Sequence, residues 1–370
     1  MSNEQTELSL SEKQLASQEG TNLPLTSLEP LHTEGNKLRP TMQDVAEMAG
    51  VSLKTVSRVV NKEASVTQAT RERVEAVIKS LGFRRNDLAR NLRQGQTSST
   101  IGLVIEDIAN PFYSQLAQGV EYVARRYNHM LILSNSEENS QREREQVSAL
   151  SHRRVAGLLI VPAGSDHSYL KSEMERGTPV IFVDRPPANL DVDMILLDSY
   201  GGSYTAVKHL LCQGHRRIGL ICGDPSVYTG SGRVAAYRTA LADWGIILED
   251  DLLCFGCDDA EKAAAATQRL LSLPHPPTAV FTTSNRISVA VLRALRGVTR
   301  RLAFVGFDDF ELADMLPTPV TVIAHDAAEM GRQAAELLFA RIQGDERPTQ
   351  RVIIPTRLIM RGSGEIPPEG

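Results

Sequence analysis

From residue 98 onward the chain alternates short apolar runs with longer stretches whose apolar residues recur at helical spacing. The runs are IGLVI (101–105), MLILS (130–134), GLLIV (157–161), PVIFVD (179–184), RIGLICG (217–223), AVFTT (279–283) and LAFVGFDD (302–309). Helical patterns lie around 115–127, 141–153, 233–243, 288–295 and 330–342. Near-continuous apolar strands separated by helices predict parallel sheets covered on both faces. The runs fall into two successive blocks, which predicts two α/β lobes.

Ahead of this region the elements are short and purely helical. TMQDVAEMAGVSLKTVSRVVN (41–61) reads as two helices meeting at a tight turn. Thr41 is a good N-cap and Asp44, three residues on, completes a capping-box pattern. Val45, Ala46 and Ala49 share one side of the first helix. Gly50 supplies the turn, and Ser52 caps a second helix whose Val56, Val59 and Val60 face inward. Leu53, Lys54, Thr55, Ser57 and Arg58 are left on its outward face. Thr67 opens a third helix with Val74, Val77, Ile78 and Leu81 apolar, and Gly82 is placed to stop it. A short helix with outward donors at its start suits a DNA major groove, where Arg58 would bond a guanine edge bidentately while hydroxyls hold phosphates. An ordinary helical hairpin with a solvated polar face is the alternative.

Charge separates those alternatives. The chain carries a formal net charge of −5. Residues 39–97 nevertheless hold eleven Lys and Arg against six Asp and Glu, a local excess of +5. A positive block on an acidic protein is the footprint of polyanion binding. Residues 1–38 are Ser-, Glu- and Gln-rich without clear periodicity and read as a disordered tail. The N-terminus has no signal-peptide pattern, and no apolar stretch approaches membrane-spanning length, which predicts a cytoplasmic protein. Four cysteines are too few for a disulfide framework, and Cys254 and Cys257 form a lone CxxC that reads as structural thiols. No metal site and no cofactor are expected.

Residues 39–97 resemble the headpiece of the LacI/GalR (lactose-repressor) family of transcription factors, in DVAEMAGVS, TVSRVVN, the ATRERV opening of the third helix and a following ARNL. The resemblance implies DNA contacts from Thr41, Ser52, Leu53, Lys54, Thr55, Ser57, Arg58, Asn61 and Ser65. It also implies that 85–97 folds as a hinge helix on DNA, with Leu92 wedged between base pairs in the minor groove and Ala89 packed beside it. Residues 98–370 resemble the two-lobed, periplasmic-binding-protein-like α/β core of the same family. The implied domains are a tail (1–38), a helix-turn-helix headpiece (39–84), a hinge (85–97) and an effector-binding, dimerising core (98–370). Crossings near Leu196, Ile323 and Arg351 would assign 98–196 and 324–350 to lobe 1, and 197–323 and 351–362 to lobe 2.

Open parallel sheets bind ligands beyond the carboxyl ends of their strands. The residues found there are Asn110, Phe112 and Tyr113 after the first run, Asp184 and Arg185 after PVIFV, Asn285 after AVFTT and Asp308 after LAFVGF, with Arg233 opening the helix after RIGLICGD. Carboxylates, an amide, two guanidiniums and two aromatics suit a polyhydroxylated ring. Singly, each has a plainer explanation as a helix cap or surface cation. Together they resemble the pocket of the family and its ribose-binding relatives, with His325 where a glutamine is common, and imply a pentose or nucleoside-like effector.

The expected function is that of a homodimeric, allosteric regulator, a repressor, binding a palindromic operator under control of a sugar. One rival is an extracytoplasmic sugar-binding receptor, opposed by the basic N-terminal block and missing signal peptide. The other is an α/β enzyme acting on a sugar. The chain has no GxGxxG, P-loop, HExxH or GxSxG pattern to supply a nucleophile or cofactor cradle.

Overall fold

The computed structural model describes residues 40–63, 65–83 and 98–368. The expected tail and the hinge segment, with Ala89 and Leu92, lie outside them. The chain divides into two compact units, Met1–Asp87 and Leu88–Gly370.

The first unit is a three-helix headpiece: α1 (Met42–Ala49), α2 (Leu53–Val60) and α3 (Gln68–Leu81). Thr41 and Asp44 form the expected reciprocal capping box. Gly50 takes a left-handed φ of 62°, which lets the chain turn at once into α2, capped by Ser52 Oγ accepting from the Thr55 amide at 3.2 Å. Val45, Val56 and Val74, one from each helix, are fully buried at the centre. Gly82 ends α3 in the left-handed region as expected. Thr67 does not cap α3 with its side chain, because its hydroxyl bonds that of Thr70 instead, at 2.9 Å.

The second unit contains two six-stranded sheets. In chain order its elements are β1 (Thr100–Ile105), α4 (Pro111–Arg126), β2 (Met130–Asn135), α5 (Ser140–His152), β3 (Leu158–Ile160), α6 (Lys171–Glu175), β4 (Val180–Asp184), β5 (Met194–Leu197), α7 (Ser199–Cys212), β6 (Ile218–Ile221), α8 (Tyr228–Asp243), β7 (Leu253–Cys254), α9 (Ala260–Leu271), β8 (Ala279–Thr282), α10 (Asn285–Ala294), β9 (Ala303–Phe307), β10 (Thr321–Ala324), α11 (Ala327–Ile342), β11 (Arg351–Ile354) and β12 (Arg357–Ile359). The first sheet, ordered β11-β5-β4-β3-β1-β2, is entirely parallel. The second, β12-β10-β9-β8-β6-β7, is parallel except for the antiparallel edge strand β12.

Strand alternation places Ile101, Leu103 and Ile105 on the face covered by α4 and α11, while Val104 and Phe182 face α5 with Val147 and Leu150. The second sheet repeats this sandwich, with Leu220 and Phe281 toward α7 and α8, and Ile221 and Val280 toward α9 and α10. Both sheets are thus buried on both sides, which is why their strands read as unbroken apolar runs.

The chain passes between sheets after β5, after β10 and after β11. The last passage differs from the expectation. Residues 351–354 do not lie in the second lobe but pair with β5 in the first, Arg351 opposite Met194 through Ile354 opposite Leu197. The segment is held there because α11 packs against α4 in lobe 1 and Asp193, just ahead of β5, accepts from Arg341 Nε and from the Gln350 amide, both at 2.7 Å.

Helices α4 and α11 approach through paired glycines. A methyl on Gly119 would collide with the carbonyl oxygen of Ala328, and one on Gly331 with that of Leu116. Gly119→Ala should therefore force the two helices apart and destabilise the core by about 1–3 kcal/mol. Denaturant titration measures this; an unchanged midpoint would contradict the close packing.

Candidate functional site

Six strand ends of the two sheets, those of β1, β3, β4, β6, β8 and β9, meet around a cleft of 740 Å³ in the second unit, lined by Glu106, Asn110, Phe112, Tyr113, Asp184, Arg185, Arg233 and Asp308 among others. Asp184 closes β4 and Asp308 follows β9, one in each lobe. Both take left-handed backbone, with φ of 69° and 67°, and both are buried. Aspartate tolerates this region better than most residues, but holding it there costs about 1–3 kcal/mol and is seen where a side chain must be aimed.

The two carboxyls have different surroundings. Burial pushes Asp184 above its ordinary range against the pull of Arg185 and Arg233, and its Oδ2 stands 3.6 Å from Arg185 Nε. Asp308 is equally buried, yet the hydrogen bond from His325 Nε2 at 2.8 Å and the charge of Arg233 outweigh burial and hold it below its ordinary value. His325 lies behind Asp308, edge-on to Phe112, and does not line the cleft. Its role in the geometry is to orient the aspartate.

Arg233 does not open its helix. Helix α8 begins at Tyr228, so Arg233 sits in its second turn, with Nη1 donating to the Thr283 carbonyl at 2.5 Å and its guanidinium 3.9 Å above the Phe307 ring. The glycines at 230 and 232 give no apolar periodicity by which this start could be read. Asn110 caps α4 by accepting from the Phe112 amide at 3.1 Å, so the plainer reading of that residue describes part of its work. Asn285 opens α10, reaches Asn110 across the lobes at 3.4 Å, and lines a smaller adjoining hollow with Pro111, Ile287 and Phe310. Arg286 makes a second bridge to Asp107 at 3.1 Å.

Phe112 presents an aromatic surface to the cleft, whereas Tyr113 is nearly fully buried and belongs to a polar network. Its hydroxyl donates to Glu106 Oε2 at 2.8 Å and accepts from Arg185 Nη2 at 3.3 Å. Burial pushes that phenol well above its usual pKa, so it remains a donor. Glu138 bonds Arg185 Nη1 at 2.8 Å, and Glu106 bonds Nη2 at 3.2 Å. Neither glutamate was selected from the sequence. Glu106 directly follows β1, so the strand-end rule applied strictly would have found it; Glu138 reaches the site only through a loop in which it and Glu137 have positive φ.

Nε of Arg185, Nε of Arg233, Oδ1 of Asn285 and Nδ1 of His325 are buried and without a hydrogen-bond partner among the described residues. The two arginine nitrogens line the cleft while Asn285 and His325 flank it, and buried donors left unmet there fit a ligand with several hydroxyls.

The headpiece presents a different surface. Thr41, Ser52, Leu53, Lys54, Asn61 and Ser65 are exposed, and Thr55, Ser57 and Arg58 are half-exposed. Leu53 is an apolar residue left 47% exposed at the start of α2. Among the described residues, the Arg58 guanidinium has a 3.8 Å surface contact with Glu63, which holds it weakly.

The sequence matches the family described as bacterial regulatory proteins, lacI family, over residues 41–86, and that described as periplasmic binding proteins and sugar binding domain of LacI family over residues 98–362. The chain belongs to the LacI family of bacterial regulatory proteins. It is 36% identical to the ribose operon repressor of Escherichia coli K12 over 329 residues, covering 87% of this chain and 99% of that protein. The operator-bound Lac repressor dimer with the anti-inducer ONPF superposes with a TM-score of 0.76 at 26% identity, covering 88% of this chain and 99% of that one. A LacI family regulator from Enterococcus faecium with bound ribose superposes at 0.65 with 26% identity, covering 73% and 100%.

Burial, then the neighbouring Glu138, push the Glu106 carboxyl up to about 7, while Arg185 and Tyr113 act in the opposite direction. A folded-state pKa above the ordinary 4.5 means that the folded core holds this proton more tightly than the unfolded chain. The resulting stabilisation is complete below about 4.5 and is lost as pH rises through about 7. Glu106→Gln should remove this dependence, gaining roughly 1–3 kcal/mol on the wild type between pH 5 and pH 8. Parallel pH–stability curves from chemical denaturation would contradict the assignment.

Proposed function

We propose that this protein is a sugar-responsive transcriptional repressor, acting as a homodimer in the cytoplasm on a palindromic operator. The headpiece reads DNA, the cleft binds the effector, and the protein performs no catalysis. The observation that carries the sensing role is the pair of buried, left-handed aspartates, Asp184 and Asp308, facing one cleft with unpartnered nitrogens of Arg185 and Arg233. Such a set grips hydroxyl pairs from both lobes and links ligand binding to their relative position.

A pentose or nucleoside-like effector is supported by the identity to the ribose operon repressor and by the likeness to a regulator solved with ribose. DNA reading is supported by the exposed donors of α2 and by the positive headpiece on an acidic chain. A dimer presents two such helices related by a twofold axis, which a palindrome matches.

The test is a thermal-shift screen of pentoses, hexoses and nucleosides, followed by operator binding at fixed salt with and without the hit, and by recovery of the ligand unchanged. Turnover of the ligand, or operator affinity indifferent to it, would contradict the proposal.

Two substitutions separate the sites. Arg58→Ala should cost roughly 1–3 kcal/mol on the operator and much less on random DNA; equal loss on both would remove its base-reading role. Arg233→Ala should leave operator affinity intact and abolish the effector response in the same titration. A retained response would exclude Arg233 from effector recognition.

A further inference from the structure

The cleft is lined by six acidic side chains, Glu106, Glu138, Asp184, Asp224, Asp258 and Asp308, against three guanidiniums, Arg185, Arg233 and Arg286. We propose that Glu106 and Glu138 make the site selective by charge, so that it accepts an uncharged polyhydroxylated ligand and rejects the same ligand bearing a phosphate or carboxylate. The inference rests on the sugar reading above and narrows it to a class.

The reason lies in how the three cations are already engaged. Arg185 donates from Nη1 to Glu138 Oε2 at 2.8 Å and to the Pro162 carbonyl at 3.2 Å, and from Nη2 to Glu106 Oε2 at 3.2 Å and the Tyr113 hydroxyl at 3.3 Å. Glu138 Oε1 also approaches Nη2, at 2.5 Å, so the glutamate spans both ends of the guanidinium. Only Nε is left, and Asp184 stands 3.6 Å from it. Arg233 is tied to Thr283 and lies on Phe307, and Arg286 is paired with Asp107. Arg185 therefore offers an incoming anion no free two-nitrogen edge, and the edge that Arg233 keeps, Nε with Nη2, lies beside the carboxyls of Asp184 and Asp308.

The acidic character extends across the lobes. Asp224, from the second lobe, is close enough to Glu138 of the first to oppose its ionisation. Two like charges therefore face each other across the cleft, and an anionic ligand would add to both. The start of α8, which lacks a side-chain cap at Val227, also favours anions. Asp224 lies three residues upstream, its carboxylate fixed by the amide and hydroxyl of Ser226 at 2.8 and 2.7 Å, and brings negative charge to that end. A polyol asks only for donors and acceptors, and it can use the carboxylate oxygens of this lining as acceptors for its hydroxyls.

The experiment uses the full-length chain in calorimetric titrations with ribose and other neutral pentoses and nucleosides, each beside its phosphate ester or sugar acid. A neutral member should bind at least 100-fold more tightly than its anionic form. The double variant Glu106→Gln/Glu138→Gln should narrow that ratio at least tenfold, because Arg185 is released. Anionic forms binding within threefold of the neutral ones in the wild type would overturn charge selection and leave the sugar reading standing. An unchanged ratio in a folded double variant would overturn the role of these two glutamates. Silence from every member of both sets would instead overturn the sugar reading, and this inference with it.

Discussion

Buried charge between two sheets is the constraint that organises this molecule. A carboxylate withdrawn from water is costly unless it meets a partner, and here Asp184, Asp308, Glu106 and Glu138 meet two arginines in the seam between lobes. The fold tolerates that arrangement because the rest of each sheet is apolar and sealed by helices on both faces. The strands end where the apolar cover ends, and the polar groups are gathered there. Positive φ at Asp184 and Asp308 is the backbone's share of the same cost. A ligand that satisfies Nε of Arg185 and Nε of Arg233 supplies what the chain alone does not.

Separation into units gives this local chemistry a possible output. The headpiece has its own small core around Val45, Val56 and Val74, enough to hold α2 with its donors outward but small enough to depend on what it contacts. The sensing core carries a far larger apolar interior, and its two sheets are joined by three passages of chain. Few connections and a polar seam allow the lobes to take more than one arrangement, and a ligand bonded to both biases which is populated. The direct bridges at Asn285–Asn110 and Arg286–Asp107 are the contacts such a change would have to remake.

Much of this was legible in the residues. The headpiece was readable almost residue by residue because its signals are local: a capping box at Thr41 and Asp44, a left-handed glycine at 50 and a serine cap at 52. The strands of both sheets were readable because double-sided burial leaves no polar interruption, and Asp184, Arg185 and Asp308 followed from asking what lies beyond them. Pairing was not readable in the same way. Whether 351–354 joins β5 or the other sheet depends on where α11 packs, and α11 packs where Gly119 and Gly331 allow the helices to meet. The antiparallel β12 likewise has no sequence signature distinguishing it from its neighbours.

In the cleft, the strand-end rule located groups but not their partners. Arg185 appeared as a free ligand-binding cation, and its engagement by Glu106, Glu138 and Tyr113 joins residues from three separate segments. Tyr113 reads from the sequence as one of two aromatics of the pocket, but burial makes it a hydroxyl donor instead. Arg233 looked like a helix start because Thr229, Gly230, Ser231 and Gly232 mask the first turn of α8.

Coupling between the cleft and the headpiece is the central claim, and thermodynamic reciprocity tests it most directly. Calorimetry of the bound sugar should be run on the protein alone and on its operator complex at one salt concentration. Operator should change sugar affinity by the same factor, in the same direction, as sugar changes operator affinity. Sugar affinity that is identical with and without operator would contradict it.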